Sequence, residues 1–538
     1  MILYYALTTY HIQCCVVHKM TRKPNEKAVL LLSDIHKNSV AFLQRYKNSG
    51  IFDDVLLLEE SRVNANVRRN SAKHRSKRRI LHTACRQIKS ALPVNPAQMD
   101  EVYLCPDHFP FGWYIITSKI KYHCFEEGCG VLSDNAFMLS NLKRNQAQYE
   151  LMDVLGYFGA NESAVEILAD TQRQLEGYEN DKMVDFSVER ILKSLDENQL
   201  SAVLGFFGVD GKIGKSSDDI SLILTQHMAN LGIMPLEKQH LLYCLLADYF
   251  LENTYIAIKP HPDDIAGRYE EIFHGEAAVL PFAMPSELLP YCISGNIKTA
   301  IAANSTAVKS LDNICSRTIC FDNRILTDFE DIHRLYCALE IIKAIRQTAA
   351  QKESFTTNAD ELILNELSKT ENLDVSFEYS PDLPKQSGLS VISDNITEVC
   401  SYEEIYEYLN ELTPEQAVIF LNEKSKYVFF DSIHTQVFKY LRPVFIGLKS
   451  DQGEQEQRVY VYSKNADILK GVENIKVNKE LKYTGISVDI HSISAEEREK
   501  IKLLEGVLEA TEERLKEYIK NKKELDEKIA ELEKRGRK

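Results

Sequence analysis

The chain has 538 residues, 44% of them hydrophobic. That is more than one core ordinarily organises, so two or three domains are expected. A net charge of −15 argues against bulk nucleic-acid binding. Twelve scattered cysteines contain no CxxC pair, which excludes zinc-ribbon and thioredoxin-type motifs and suits a reducing cytosol. No window approaches the roughly 18 apolar residues of a membrane span. The N-terminal run MILYYALTTYHIQCCVVHKM has no basic lead and reads as strand plus helix, not as a signal peptide.

In chain order, ILYYAL (2–7) suits a buried strand, and the stretch after it suits a helix capped by Thr8 or Thr9. KAVLLLSD (27–34) and DDVLLLEE (53–60) continue the pattern of short apolar runs expected of a parallel sheet. Residues 62–89 then carry ten Lys/Arg and no Asp/Glu, a local basic segment in an acidic chain. It suggests a local anionic partner, with a solvated helix or loop face as the alternative. MDEVYLCPD (99–107) reads as a fourth strand, and GWYIITSKI with KYHCFEEG (112–128) as more. Residues 140–200 read as mostly helical, and the glycine-rich 201–217 as a linker or domain entry.

A second α/β pattern follows: ISLILTQ (220–226), a helix over 235–252, then TYIAIKPHP, AAVLPF, KTAIAANSTA and TICFD, ending in a helix near 330–350. Two such Rossmann-like domains, 1–200 and 201–350, facing each other across a cleft would make the GT-B arrangement. Residues 372–493 form an additional α/β region with a helix at 403–412 and strand-like runs at 426–430 and 457–463. In the tail, 495–538, positions from 501 to 532 advancing by alternating 3 and 4 are apolar at eight of ten places, the pattern of a coiled coil and of a homo-oligomer.

The stretch IAIKPHPDD (256–264) sets one histidine between two prolines at a strand end. Pro260 removes a backbone donor, and Pro262 confines His261 to extended backbone, so the imidazole is held stiffly where open α/β sheets bind ligands. A protonated imidazole there can hydrogen-bond or protonate a departing phosphate, with Lys259 adding charge nearby. Glu126-Glu127-Gly128 follows the run YHCF, and a carboxylate at that point can act as a general base. Asn304-Ser305-Thr306 follows TAIAA, where consecutive hydroxyls make either a helix cap or a phosphate site.

Taken in order, EEG (126–128), KPHP (259–262), PSELL (285–289) and NST (304–306) resemble the motifs of the bacterial GT-B sialyltransferases and polysialyltransferases, glycosyltransferase family 52-like, over about residues 1–345. The resemblance implies that Glu126 deprotonates the acceptor hydroxyl and that His261 stabilises the leaving phosphate, with Pro262 fixing its loop. It implies that Ser305 and Thr306 hold the phosphate and that Glu287 binds the ribose hydroxyls. Lys259, Pro285 and Ser286 complete the nucleotide site. The implied donor is a CMP-activated sugar, the implied acceptor a glycan or glycolipid, and the implied reaction an inverting transfer without metal or other cofactor.

Arg68, Arg69, Arg75, Lys77, Arg78 and Arg79 of the basic segment are candidates for docking an anionic acceptor or an anionic membrane. A cytoplasmic place, peripheral at the inner face of the plasma membrane, fits that reading, and nucleic acid is not an expected partner. A CDP-polyol phosphotransferase of the teichoic-acid type and a non-catalytic glycan-binding coiled-coil scaffold are the alternatives.

Overall fold

The structure is a computed structural model. It describes residues 1–484 except 73–75, 127–141, 144–145, 174–180, 210, 216–217, 252–253, 263, 265–267, 282–283, 306–307, 309–310, 312–313, 346–353, 384–387, 394–395, 422–436 and 451–452. The expected coiled coil, the strand at 426–430, Glu127, Gly128, Thr306 and Arg75 therefore lie outside the described residues.

Short β-branched and aromatic runs form three sheets. The first comprises β1 (Ile2–Ala6), β2 (Ala28–Ser33), β3 (Asp54–Leu58), β4 (Glu101–Cys105), β5 (Tyr122–Phe125), β6 (Ala164–Ala169) and β7 (Met183–Asp185). Its order is β3-β2-β1-β4-β5-β6-β7, parallel throughout, with Tyr4 opposite both Leu30 and Tyr103. The second comprises β8 (Asp219–Leu224), β9 (Tyr255–Lys259), β10 (Ala277–Val279), β11 (Asn296–Ala302) and β12 (Cys315–Cys320), also parallel, in the order β10-β9-β8-β11-β12. Each order reverses once, between β1 and β4 and between β8 and β11, which opens a crevice at the carboxyl ends of those strands. This is the two-sheet α/β architecture of the GT-B type.

One apolar core joins the two halves. It runs from Tyr4, Cys15 and Leu30 through Phe206 and Phe207 to Ile220, Leu222 and Met284. The helix Glu197–Phe206 is the joint: Phe206 stacks on Tyr46 at 4.5 Å between ring centroids, while Ile213 just beyond it bridges to Ile293. The expected linker at 201–217 is thus partly helix, packed against the first sheet. At Gly208, with φ of +78°, a Cβ would fall 2.1 Å from the Arg45 guanidinium, so glycine is the residue that lets the chain turn there.

Two sequence expectations change. Residues 112–120, expected as strand, lie largely in helix α5 (Pro110–Thr117); α1 (Thr9–Arg22), α2 (Lys37–Asn48), α3 (Ser61–Ala72) and α4 (Lys77–Ala91) precede it. A short apolar run does not distinguish strand from buried helix, and Pro110 at the first helical position tips the balance. Residues 140–200, expected as mostly helical, also contain β6 and the short edge strand β7, both of mixed polarity.

Helix α5 is pressed against the loop after β4 so closely that a Cβ at Gly112 would lie 2.2 Å from the Asp107 carbonyl oxygen. Asp107 is itself buried and accepts from Tyr122 Oη at 2.8 Å and from the amides of Phe158 and Gly159. Gly112→Ala must therefore displace backbone, and a loss of about 3 kcal/mol of stability is expected. A denaturant midpoint equal to that of the unaltered protein would contradict this packing.

The third sheet contains β13 (Ser354–Thr357), β14 (Ser376–Tyr379), β15 (Leu389–Ser393), β16 (Ala417–Leu421), β17 (Leu441–Ser450), β18 (Gly453–Ser463) and β19 (Lys476–Glu480), in the order β14-β13-β15-β16-β18-β17-β19. Several side-chain contacts tie it to the half that carries the second sheet. Arg324 makes a two-pronged ion pair with Glu361 at 2.7 and 2.9 Å, and Asp248 accepts from the amides of Lys482, Tyr483 and Thr484.

Asp360, beside the first joint, caps the helix Glu361–Thr370 through the amides of Leu362 and Ile363. Burial raises its pKa from 3.8 to about 6, with Asp328 and Asp322 adding to the rise. A carboxyl raised in the folded state costs stability as pH climbs from about 4 to 6, and the full cost persists at pH 7. Asparagine keeps the cap without the charge. Asp360→Asn is expected to gain about 2 kcal/mol at pH 7 and little at pH 4. Equal gains, or equal losses, at both pH values would contradict it.

Candidate functional site

The site is built from the carboxyl ends of the first two sheets. On the first, β1 leads into α1 through Thr8, whose hydroxyl accepts from the His11 amide while His11 Nδ1 accepts from the Thr8 amide. This reciprocal cap fixes the first turn of α1 and points Tyr10 across the sheet edge. Tyr10 Oη donates to Glu126 Oε1 at 2.7 Å. Glu126 is the residue after β5; its amide bonds to the Leu168 carbonyl at 2.9 Å, which continues the ladder by one rung, and only 4% of its surface is exposed. Its backbone is therefore as rigid as the strand, and Tyr10 orients the carboxylate.

Burial holds the Tyr10 hydroxyl well above the usual tyrosine range, with Cys14, Glu126 and Glu287 adding to the effect. Tyr10 thus remains a donor at any physiological pH. The Cys14 thiol, one turn along α1, is raised by burial and by Cys15, Glu126 and Glu287. Tyr10 also packs against the apolar core that takes in Met284, Leu288 and Leu289 of the second half, so the first turn of α1 lies where the two halves meet.

Around the same edge, burial depresses His11 and His108 to about pKa 3, and both stay neutral at physiological pH. Thr9 Oγ1 lies 3.4 Å from His36 Nε2.

On the second sheet the loop after β9 is tied down by its own aspartate. The His261 amide donates to Thr225 Oγ1 at 3.1 Å, and Thr225 Oγ1 donates to Asp264 Oδ2 at 2.9 Å. Asp264 also accepts from Gln239 Nε2 at 3.1 Å and from the Tyr269 hydroxyl, and its amide returns to the His261 carbonyl at 2.9 Å. A buried carboxylate with this many donors locks the loop. The His261 ring lies over the His227 ring, with centroids 4.1 Å apart and planes 30° off parallel. His227 follows β8, which borders the reversal of strand order, so the stacked pair lies over the carboxyl ends of β8 and β9 beside the crevice where a ligand is expected.

Lys259 does not reach the surface. It is 4% exposed and donates to the Pro260 carbonyl at 2.7 Å. Burial lowers its pKa to about 8, while Glu287 pulls the other way. Its ammonium supports the loop through the Pro260 carbonyl and offsets the charge of Glu287. Glu287 lies in the turn Ser286–Leu288, half-buried with Ser286, behind the buried Pro285. Pro262 is half-buried beside His261. Ser305 is 8% exposed, just beyond β11 on the same edge, and its carbonyl accepts from Cys320 Sγ at 3.4 Å.

Glu126, Glu287, Lys259 and the His261 loop thus belong to edges that meet at α1. The basic candidates lie elsewhere, with Arg68 and Arg69 exposed on α3 and Lys77, Arg78 and Arg79 exposed on α4. Sequence reading missed Tyr10, Thr225, His227 and Asp264. Asp264 had a signal, being the second aspartate of KPHPDD; His227 had only its place after an apolar run.

Among the described residues no group of three or more His, Cys, Asp or Glu is placed to hold a metal ion, and no helix is long and apolar enough to cross a membrane.

The sequence matches no known family profile and no curated protein. Among solved structures, the chain is similar to an α/β-galactoside α-2,3-sialyltransferase from Photobacterium phosphoreum, at 9% identity and a TM-score of 0.36, over 70% of this chain and 97% of that one. It is similar to a sialyltransferase GT-B domain from Photobacterium damselae at 10% identity and a TM-score of 0.27, over 71% and 100% of the two chains. A UDP-GlcNAc 2-epimerase from Methanocaldococcus jannaschii gives 13% identity and a TM-score of 0.35, over 61% and 91%. At these values the likenesses carry no argument about activity; the site's chemistry has to be read from its residues.

Proposed function

We propose that the chain is an inverting glycosyltransferase that moves sialic acid, or a related 2-keto sugar acid, from a CMP-activated donor to a hydroxyl of a bacterial surface glycan. The observation that carries this reading is the pairing of a rigidly held carboxylate, Glu126 under Tyr10, with a rigidly held histidine, His261 on His227, on carboxyl edges that meet at α1.

The chemistry follows from those two groups. Glu126 takes the acceptor hydroxyl proton as the oxygen attacks the anomeric carbon, and one new C–O bond forms. The bond from that carbon to the phosphate oxygen breaks, and CMP leaves with the electron pair. His261 hydrogen-bonds or protonates the departing phosphate, and a single displacement inverts the centre. Ser305 and Thr306 would hold the phosphate and Glu287 the ribose hydroxyls, with Pro285, Ser286 and Pro262 shaping the nucleotide wall. Lys259 acts through the loop it supports and through Glu287. Membership of family 52 and a coiled-coil homo-oligomer belong to the same proposal.

Calorimetric titration with CMP tests it, with UMP, GMP and CDP as controls, with and without EDTA. Selective CMP binding that EDTA leaves unchanged is the expected result. A preference for CDP would favour polyol-phosphate transfer, and no nucleotide binding would remove the reading.

A further inference from the structure

We infer that the backs of α3 and α4 form a docking surface for an anionic phospholipid bilayer, beside the first sheet and separate from the nucleotide site. Binding to such a bilayer does not depend on the function proposed above; only its purpose, bringing the site to a membrane-borne acceptor, rests on that reading.

The two helices pack against each other, and each buries a narrow apolar stripe: Val63 and Val67 on α3, and Ile80, Ala84 and Ile88 on α4. Opposite the α4 stripe, Arg78, His82, Arg86 and Lys89 recur at i, i+4, i+8 and i+11, all exposed. That row is about 16 Å long at the rise of an α-helix. On α3, Arg62 and Arg69 repeat at i, i+7 and are exposed on one face. Between residues 61 and 99 there is no Asp or Glu, so neither helix carries a carboxylate of its own, although the chain as a whole has a net charge of −15. A surface this unbalanced is attracted to an anionic plane, and the acidic remainder is repelled from it, which fixes one orientation.

The composition chooses between polyanions. Residues 61–91 contain no Phe, Tyr or Trp. Sugar rings and single-stranded bases are held by aromatic stacking, and a discrete ligand is held in a concavity. The outer faces of two helices offer neither. None of the exposed large apolar side chains lies on these helices. Adsorption is therefore electrostatic, without insertion, and sensitive to salt. The start of α3 is also tied to the first sheet. The amide and hydroxyl of Ser61 at the start of α3 donate to Asp34 at 2.6 Å, which pins that end of α3 to the carboxyl edge that also carries Glu126.

The test is co-sedimentation of the full chain with vesicles of phosphatidylcholine alone and of phosphatidylcholine with phosphatidylglycerol, at low and high salt. The expected result is binding to the anionic vesicles only, reversed by salt. Arg78→Glu/Arg86→Glu should lower the partition coefficient at least about tenfold, at roughly one charge-contact per residue. The same reversal at two exposed lysines elsewhere, Lys27→Glu/Lys470→Glu, should change it by less than about threefold.

Absence of binding to anionic vesicles at low salt would overturn the inference, as would equal losses in the two double variants. Displacement from vesicles by a stoichiometric amount of soluble polysialic acid or duplex DNA would overturn it in favour of a soluble polyanion. CMP binding, measured separately, keeps failure of this inference distinct from failure of the proposed function.

Discussion

Glu126→Gln is expected to lower turnover about 10²–10⁴-fold, the usual range for loss of a positioned base, while CMP binds almost as before. Glutamine keeps the size and still accepts from Tyr10, so the edge of the first sheet should stay intact; what is lost is an atom able to take the acceptor proton. The geometry gives a second arm. Tyr10 donates to Oε1 at 2.7 Å from a helix whose first turn is itself capped. Tyr10→Phe leaves the base in place but frees it to rotate. A fall of about tenfold in kcat is expected, with the donor KM unchanged, because orientation is lost and binding is not. Steady-state kinetics with a CMP-sugar donor would measure both. Near-normal turnover in Glu126→Gln would reject the base assignment. An unchanged Tyr10→Phe alone would reduce Tyr10 to a packing role.

The second large effect is at the histidine pair. His261→Ala is expected to lower turnover about 10²–10⁴-fold through loss of the group proposed to act on the leaving phosphate. A loss below about tenfold would return His261 to a rigid loop residue. His227 separates two explanations for such a loss. If it serves by holding the His261 ring through the 4.1 Å stack, His227→Phe preserves the aromatic face and most of the rate, while His227→Ala costs about tenfold. If His227 itself contacts the phosphate, Phe and Ala are equally damaging and the donor KM rises in both. The loop under the pair is built from Thr225, Gln239, Asp264 and Tyr269, so neither His227 substitution should unfold it.

Much of the architecture was legible because its causes are local. A Thr before an amphipathic run caps a helix wherever it occurs, and Thr8 does so for α1. Apolar runs of five or six residues such as AVLLLS, too uniform for a half-exposed strand, mark a sheet covered on both faces, and β2 is buried along its whole length. The histidine between prolines was legible for the same reason: two fixed φ angles and a missing donor put His261 in a stiff loop whatever surrounds it.

What failed had non-local causes. The run at 112–120 carries apolar residues that fit strand or helix; Pro110 starts it as α5, and Gly112 lets that helix close against the Asp107 backbone. The burial of Lys259, which ends a strand beside a proline loop, was likewise not legible. The strand it ends is paired on both sides, by β10 and β8, and its ammonium is buried and depressed to about 8. No periodicity reports that.

By itself, then, the sequence determined the elements, the alternation that makes parallel sheets, and the stiff loops at their carboxyl ends, because helix periods, caps and proline geometry act over a few residues. Only the tertiary structure decided which of those loops meet. Tyr10 reaches a carboxylate 116 positions away, and Thr225 anchors a loop 36 positions away. Such pairings are set by strand order and by the core shared between two sheets, which are properties of the packed chain and not of any stretch of it.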